Sequence, residues 1–143
     1  MEINKELLDG LLAEAKENPR LRQNFDLRTS SADTSQRMLN ALQPQTEVPI
    51  HRHENTAETV ICLVGKLEEI IYEEVNEYVH EATSSCDDVI RQRNFKEVSR
   101  QILSPAEGKF GIQIPAGAWH TINVIEPSVI FEAKDGAYRR DNR

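Results

Sequence analysis

Apolar residues at Ile3, Leu7, Leu8, Leu11, Leu12 and Ala15 recur at helical spacing, which predicts an amphipathic helix over residues 3–17. Asn4 is placed to cap it and Asn18-Pro19 to stop it. Such a helix covers one end of a core or a subunit contact. Residues 19–34 follow as a polar, arginine-bearing connector. From residue 36 the texture changes to strands. The first candidate is 36–42. Residues 58–64 carry apolar side chains on both faces and are expected to be buried on both. Gly65-Lys66 fits a two-residue hairpin turn, because glycine tolerates the positive φ such turns require, and 67–72 returns as the partner strand.

Residues 73–97 interrupt this pattern. Val75, Val79, Ala82, Cys86, Val89 and Ile90 stand at near-helical spacing, and Ser84 or Ser85 is a candidate cap for a short helix. Asp87 and Asp88 would lie near its positive end, Arg91 and Arg93 near its negative end. The segment reads as a partly helical insertion, either a lid or a solvated excursion. Strands resume at 98–103, 110–114, 119–125 and 128–134, with turns at Pro115-Ala116-Gly117 and Glu126-Pro127. The charged tail, 138–143, is expected to fray.

Regularly spaced short strands behind one helix predict a mainly β domain, a barrel or a sandwich. Its parts are residues 1–34, the helix and connector packed on the barrel; 35–137, the barrel with the insertion 73–97; and the tail 138–143. A length of 143 residues fits one domain with a substantial core. The net charge of −7 argues against nucleic acid as a partner. The longest apolar run, 60–64, is far too short to span a bilayer, so no membrane partner is expected. The first residues lack the apolar core of a secretory signal, and Cys62 and Cys86 form no CxxC pair. A cytoplasmic location is the expectation from these features.

Three of the four histidines fall in two short stretches. The first, from His51 to Gly65, has the skeleton H-x-H-x4-E-x6-G and offers His51, His53 and Glu58. The second, Pro115 to His120, reads P-x-G-x2-H and offers His120. His51 and His53 are two apart, so an extended strand points both rings to one face. Three imidazoles and a carboxylate suit one divalent first-row transition metal: iron, manganese, nickel, cobalt or zinc. Four such ligands would close a tetrahedral zinc site but leave two positions open on a six-coordinate metal. Around them, Arg37, Asn40 and Lys134 are candidates for substrate binding. Arg37 sits in an apolar strand and needs a carboxylate or a bound anion; an internal salt bridge, with Glu132 or another acid, would serve equally. Glu132 and Lys134 share one face of the last strand. Cys62 is read as an apolar filler and Trp119 as core, while His80 fits neither motif. No residue is assigned a catalytic role.

The two stretches resemble the paired motifs of the cupin superfamily. Matching positions are His51, His53, Glu58, Gly65, Pro115, Gly117 and His120. The chain departs at Gln45 and Lys109, where glycines stand in the pattern, and at Val124, where an asparagine stands. Stretches 36–44, 114–117, 119–121 and 131–136 are also similar to the WbuC family of cupin-fold metalloproteins. The resemblance implies a jelly-roll-like double-stranded β-helix barrel, His51, His53, Glu58 and His120 as metal ligands, and a homodimer. It further implies a small polar, sugar-like ligand and a link to surface-polysaccharide metabolism. A metal-dependent isomerase or epimerase, an iron-dependent dioxygenase and a non-catalytic ligand-binding or sensor cupin all stay open.

Overall fold

A computed structural model describes residues 1–83 and 86–136, with the backbone alone described for 76–93. The helix α1 spans Lys5–Glu17, and the strands are β1 (Arg22–Asp26), β2 (Ser35–Leu42), β3 (Glu58–Thr83), β4 (Cys86–Leu103), β5 (Gly111–Ile114) and β6 (Trp119–Asp135). A 3-10 turn, Pro105–Glu107, links β4 to β5. No helix among the described residues is long and apolar enough to cross a membrane.

Asn4 caps α1 as its sequence position suggests, its side-chain oxygen accepting the Leu7 N–H at 3.0 Å. The buried stripe of α1, Leu11 and Ala15, packs on Leu39 and Ala41 of β2 and Val129 of β6. Alternation along β2 then sends Gln36, Met38, Asn40 and Leu42 to the other face.

All strands join one antiparallel sheet in the order β1-β2-β6-β3-β4, with β5 on the first part of β3. The order is an open path, so the described strands do not form the closed hydrogen-bonded barrel expected from the sequence. The sheet instead folds over itself, because β3 and β6 are both long and bent. Their register slips repeatedly between Cys62 and Leu67. One inner cluster joins Val60, Cys62, Leu42, Ile114 and Ile130 from one side of this bend to Leu67, Leu103 and Val124 from the other.

The bend corrects two expectations. Gly65-Lys66 is no hairpin turn and Glu126-Pro127 separates no strands: β3 and β6 continue unbroken through these positions. Gly65 takes φ +95° and lies against Pro127 and Ser128 of β6. The Ser128 hydroxyl accepts the Lys66 N–H at 3.0 Å and donates to Glu126 O at 2.7 Å, filling gaps that the slipped ladder leaves. Nor is β3 buried on both faces here. Val60 and Cys62 are buried, but Leu63 and Val64 are exposed.

The segment 73–97 is also corrected, from part-helix to strand. Its backbone continues the β3–β4 hairpin, paired from Leu67↔Leu103 to Thr83↔Cys86. The β-branched and aromatic residues Val75, Tyr78, Val79, Val89, Ile90 and Phe95 favour the pleated form, and pairing with a partner strand outweighs a weak near-helical spacing. The cap expected at Ser84 or Ser85, the side chains on which a lid would depend, and the tail 138–143 lie outside the described residues.

A Cβ at Gly65 would stand 2.7 Å from Ser128 Cα, in a left-handed conformation. Gly65→Ala is therefore expected to destabilise the fold by about 3 kcal/mol in chemical denaturation, combining overpacking with backbone strain. Gly10→Ala, within α1 and open to solvent, is expected to stabilise by about 0.5–1 kcal/mol.

Candidate metal centre

His51 and His120 meet across an isolated antiparallel bridge. Two backbone hydrogen bonds close it, from His51 N–H to His120 O at 3.0 Å and from His120 N–H to His51 O at 2.8 Å. Their ring centroids lie 4.2 Å apart. The Pro115-Ala116-Gly117 turn is tied to the same stretch, since Gly117 N–H donates to His53 O at 2.7 Å. The three rings converge until one nitrogen from each of His51, His53 and His120 lies within 4.8 Å of the others. Glu58 opens β3 and is buried, its Oε2 2.8 Å from His53 Nε2. All four predicted ligands thus come together.

The donor set fits a metal. His51 Nδ1 lies 2.8 Å from Pro49 O and His120 Nδ1 2.9 Å from Ala118 O. A neutral imidazole donating there leaves its Nε2 lone pair for a metal. His120 Nε2 is buried and has no partner in the protein. Burial, reinforced by His120, depresses His51 to about 4, and burial lowers His120 as well. Both rings are then neutral at pH 7, as ligation requires. Burial works to raise the Glu58 carboxyl, but the His53 hydrogen bond and the surrounding imidazoles outweigh it, and its pKa lies below the usual value. The neutral His51 and His120 rings, the His53 ring and one carboxylate therefore face a common point.

These residues line a pocket of about 310 Å³. Asn40 and Lys134 line it too. Arg37 does not. It shares the parity of Leu39 and Ala41, faces away, and pairs with Asp33 at 2.8 Å rather than with Glu132. Cys62 is core, its thiol pushed up to about 11 by burial. Trp119 is half-buried, with the Phe95 ring at 5.0 Å and the Arg52 guanidinium 4.6 Å above it. The side chain of His80 lies outside the described residues.

The sequence reading missed Glu69. It is 1% exposed, lines the pocket, and neither carboxyl oxygen has a partner in the protein. Burial pushes its pKa well above the usual range, with Glu58 and Glu132 adding to the effect. Its parity with Leu67 was the available signal, masked by the acidic neighbour Glu68. Glu132 also faces the pocket and is raised to about 8 by burial and by Glu58, against the Asn40 hydrogen bond and Lys134. Among the described residues, every buried side-chain N or O without a partner belongs to Gln36, Asn40, His53, Glu69 or His120. All five line this one pocket.

The family model described as "Domain of unknown function (DUF6016)" matches residues 3–84, more than half of the sequence. The chain belongs to this family. No curated protein matches this DUF6016 member. Solved structures with the same fold include KdgF from Halomonas sp., at TM-score 0.54 and 15% identity over 84% of this chain and 82% of that one. The capsular polysaccharide assembling protein CapF from Staphylococcus aureus matches at TM-score 0.52 and 17% identity over 87% of this chain. An oxalate oxidase in complex with the substrate analogue glycolate matches at TM-score 0.55 and 12% identity, over 86% of this chain and 55% of that one. The chain spans only 30% of the length of CapF. These neighbours are cupin-fold proteins, and at such identities the likeness is one of fold.

A carboxyl with a folded pKa above its unfolded one binds its proton more tightly when folded. Stability then falls as pH rises through that window, from 4.5 to about 8 for Glu132. In chelator-treated protein, Glu132→Gln should match the wild-type Tm near pH 4.5 and exceed it by several degrees at pH 8, at about 2–4 °C per kcal/mol. A Tm difference flat across this range would show that the carboxyl titrates normally.

Proposed function

We propose that this chain is a metal-binding cupin that holds or transforms a small polar, sugar-like molecule in the pocket beside His51, His53, Glu58 and His120. One observation carries the reading: the unpartnered buried polar atoms are concentrated on residues of a single pocket. An unsatisfied buried polar group costs about 1–3 kcal/mol, so such groups collect where a ligand or ion will satisfy them. The fold likeness and the converged histidines support the same reading.

A divalent transition metal held by those four residues would supply Lewis-acid polarisation of a ligand carbonyl or hydroxyl. The chain's own residues supply the rest. Asn40 and Gln36 present amide groups, and Lys134 brings a cation to the same wall. Glu132, raised to about 8, can take up or release a proton at its carboxyl near neutral pH. Glu69, held protonated by burial, can donate a hydrogen bond to a ligand oxygen. Two buried acids that carry protons favour isomerisation or epimerisation over dioxygenation as the reaction. Kinship with WbuC proteins and a link to surface-polysaccharide metabolism belong to this proposal. The fold likeness to CapF, a capsular polysaccharide assembling protein, supports that link.

Elemental analysis tests the centre. Wild type is expected to retain about one transition-metal equivalent, and His51→Ala and His120→Ala to lose most of it. Full metal content in both variants would refute the ligand set. Oxygen uptake by the iron-loaded protein with a bound sugar would move the reaction to the dioxygenase class.

A further inference from the structure

Arg28, Arg37, Arg52 and Arg100 each hold a carboxylate. Arg20 and Arg22 hold none among the described residues. Both line the metal pocket, and both also line an adjoining surface groove, sharing Val48 and Pro49 between the two. The arginines therefore stand where the pocket opens into the groove. Glu47 lines that groove as well, beyond ion-pair distance of either.

The backbone carrying them is fixed. Arg20 N–H donates to Asn18 Oδ1 at 2.9 Å, and Leu21 N–H to Asn18 O at 2.8 Å. The Thr46 hydroxyl donates to Arg20 O at 2.7 Å, and Gln43 N–H to Leu21 O at 2.9 Å. Between the arginines Leu21 is left-handed, at φ +56°, and Gln45 across the groove is left-handed at φ +76°. They are the only non-glycine residues at positive φ among the described residues, and both line the groove. Strain of this kind persists only where surrounding structure enforces it. In a chain of net charge −7, two guanidinium groups without acids are held just before β1 and at its first residue, where the pocket meets the groove.

We propose that Arg20 and Arg22 form an anion subsite, which binds a carboxylate or phosphate on a ligand whose other end reaches the metal pocket. Guanidinium forks match either oxyanion with paired hydrogen bonds. The sharing of both residues between pocket and groove fixes the subsite at the junction, so the ligand extends beyond the 310 Å³ pocket. The proposal rests on the pocket being a ligand site, and it narrows that ligand to an anionic class.

Calorimetric titration of the full chain with inorganic phosphate and, separately, malonate tests it at low ionic strength, with metal bound and after chelation. Wild type is expected to bind at least one probe in both states. The stronger probe tells phosphate from carboxylate. Arg20→Gln/Arg22→Gln should weaken that binding by about tenfold or more while keeping its metal content. Arg20→Lys/Arg22→Lys, which keeps the charge and loses the fork, should fall between, and Arg28→Gln should match wild type. Unchanged affinity in the double glutamine variant, binding that vanishes on chelation alone, or no binding of either probe to wild type would each overturn the proposal. Loss of metal from His51→Ala with anion binding intact would separate the two sites, whereas metal retained by that variant would sink the metal reading and leave the arginine subsite standing.

Discussion

The site depends on one coupled bend. β3 and β6 lie side by side over most of their length, and neither could turn alone without tearing the ladder between them. They bend together where Gly65 meets Pro127 and Ser128. Glycine supplies the left-handed φ and the space, and the Ser128 hydroxyl covers the backbone groups that the slipped register leaves unpaired. Glu58 lies before the bend on β3, and His120 precedes it on β6. Because the two strands are antiparallel, folding them over sets the Glu58 end of one half against the His120 end of the other. The inner apolar cluster, drawn from both halves, holds that arrangement shut.

Its electrostatic consequence is a pocket with two opposed demands. Burial depresses the histidines and raises Glu69 and Glu132. Depressed histidines lose stability as pH falls through the window from 6.5 to about 4 for His51. Raised carboxyls lose it as pH rises. Both effects come from the same desolvation, and both favour the neutral form of the group. Glu58 is the exception: against the burial that would raise it, its hydrogen bond to His53 and the surrounding imidazoles hold its pKa below the usual value. A carboxylate among three converging imidazoles is an arrangement that a divalent cation stabilises and a hydrophobic ligand does not.

How much of this the sequence revealed follows from the range of each interaction. His51, His53, Glu58 and His120 were legible because local spacing and a Pro-x-Gly turn dictate their directions. The helix was legible from its periodicity and its Asn4 cap. The bend was misread, because Gly65 looks the same in a hairpin turn as in a bulge; its partner is more than sixty residues away at Ser128. Arg37 was misplaced for want of its parity: the neighbours Leu39 and Ala41 face α1, a long-range fact. Glu69 went unseen because an acid beside another acid reads as solvated. Two motif departures proved informative. Gln45 does adopt the left-handed φ that a glycine at its position would supply, and Gly108, one residue before Lys109, takes φ +75° in its place.

The pocket mixes apolar residues such as Met38 and Ile122 with polar groups that are not placed symmetrically, and the asymmetry constrains what can occupy it. Its inner wall carries Glu69 and Glu132, acids that burial drives toward the protonated form. An anionic group pressed against that wall would gain hydrogen bonds only while both acids kept their protons, and would raise their pKa values further. A hydroxyl or carbonyl meets no such penalty, since a protonated carboxyl both donates and accepts. The mouth, with Arg20 and Arg22, has the opposite preference. Charge on the two ends of the pocket would therefore orient the proposed ligand without any contact of exceptional strength. On the proposed reading, the oxygenated, uncharged end would go inward to the histidines and the acids, and the charged end would stay outward.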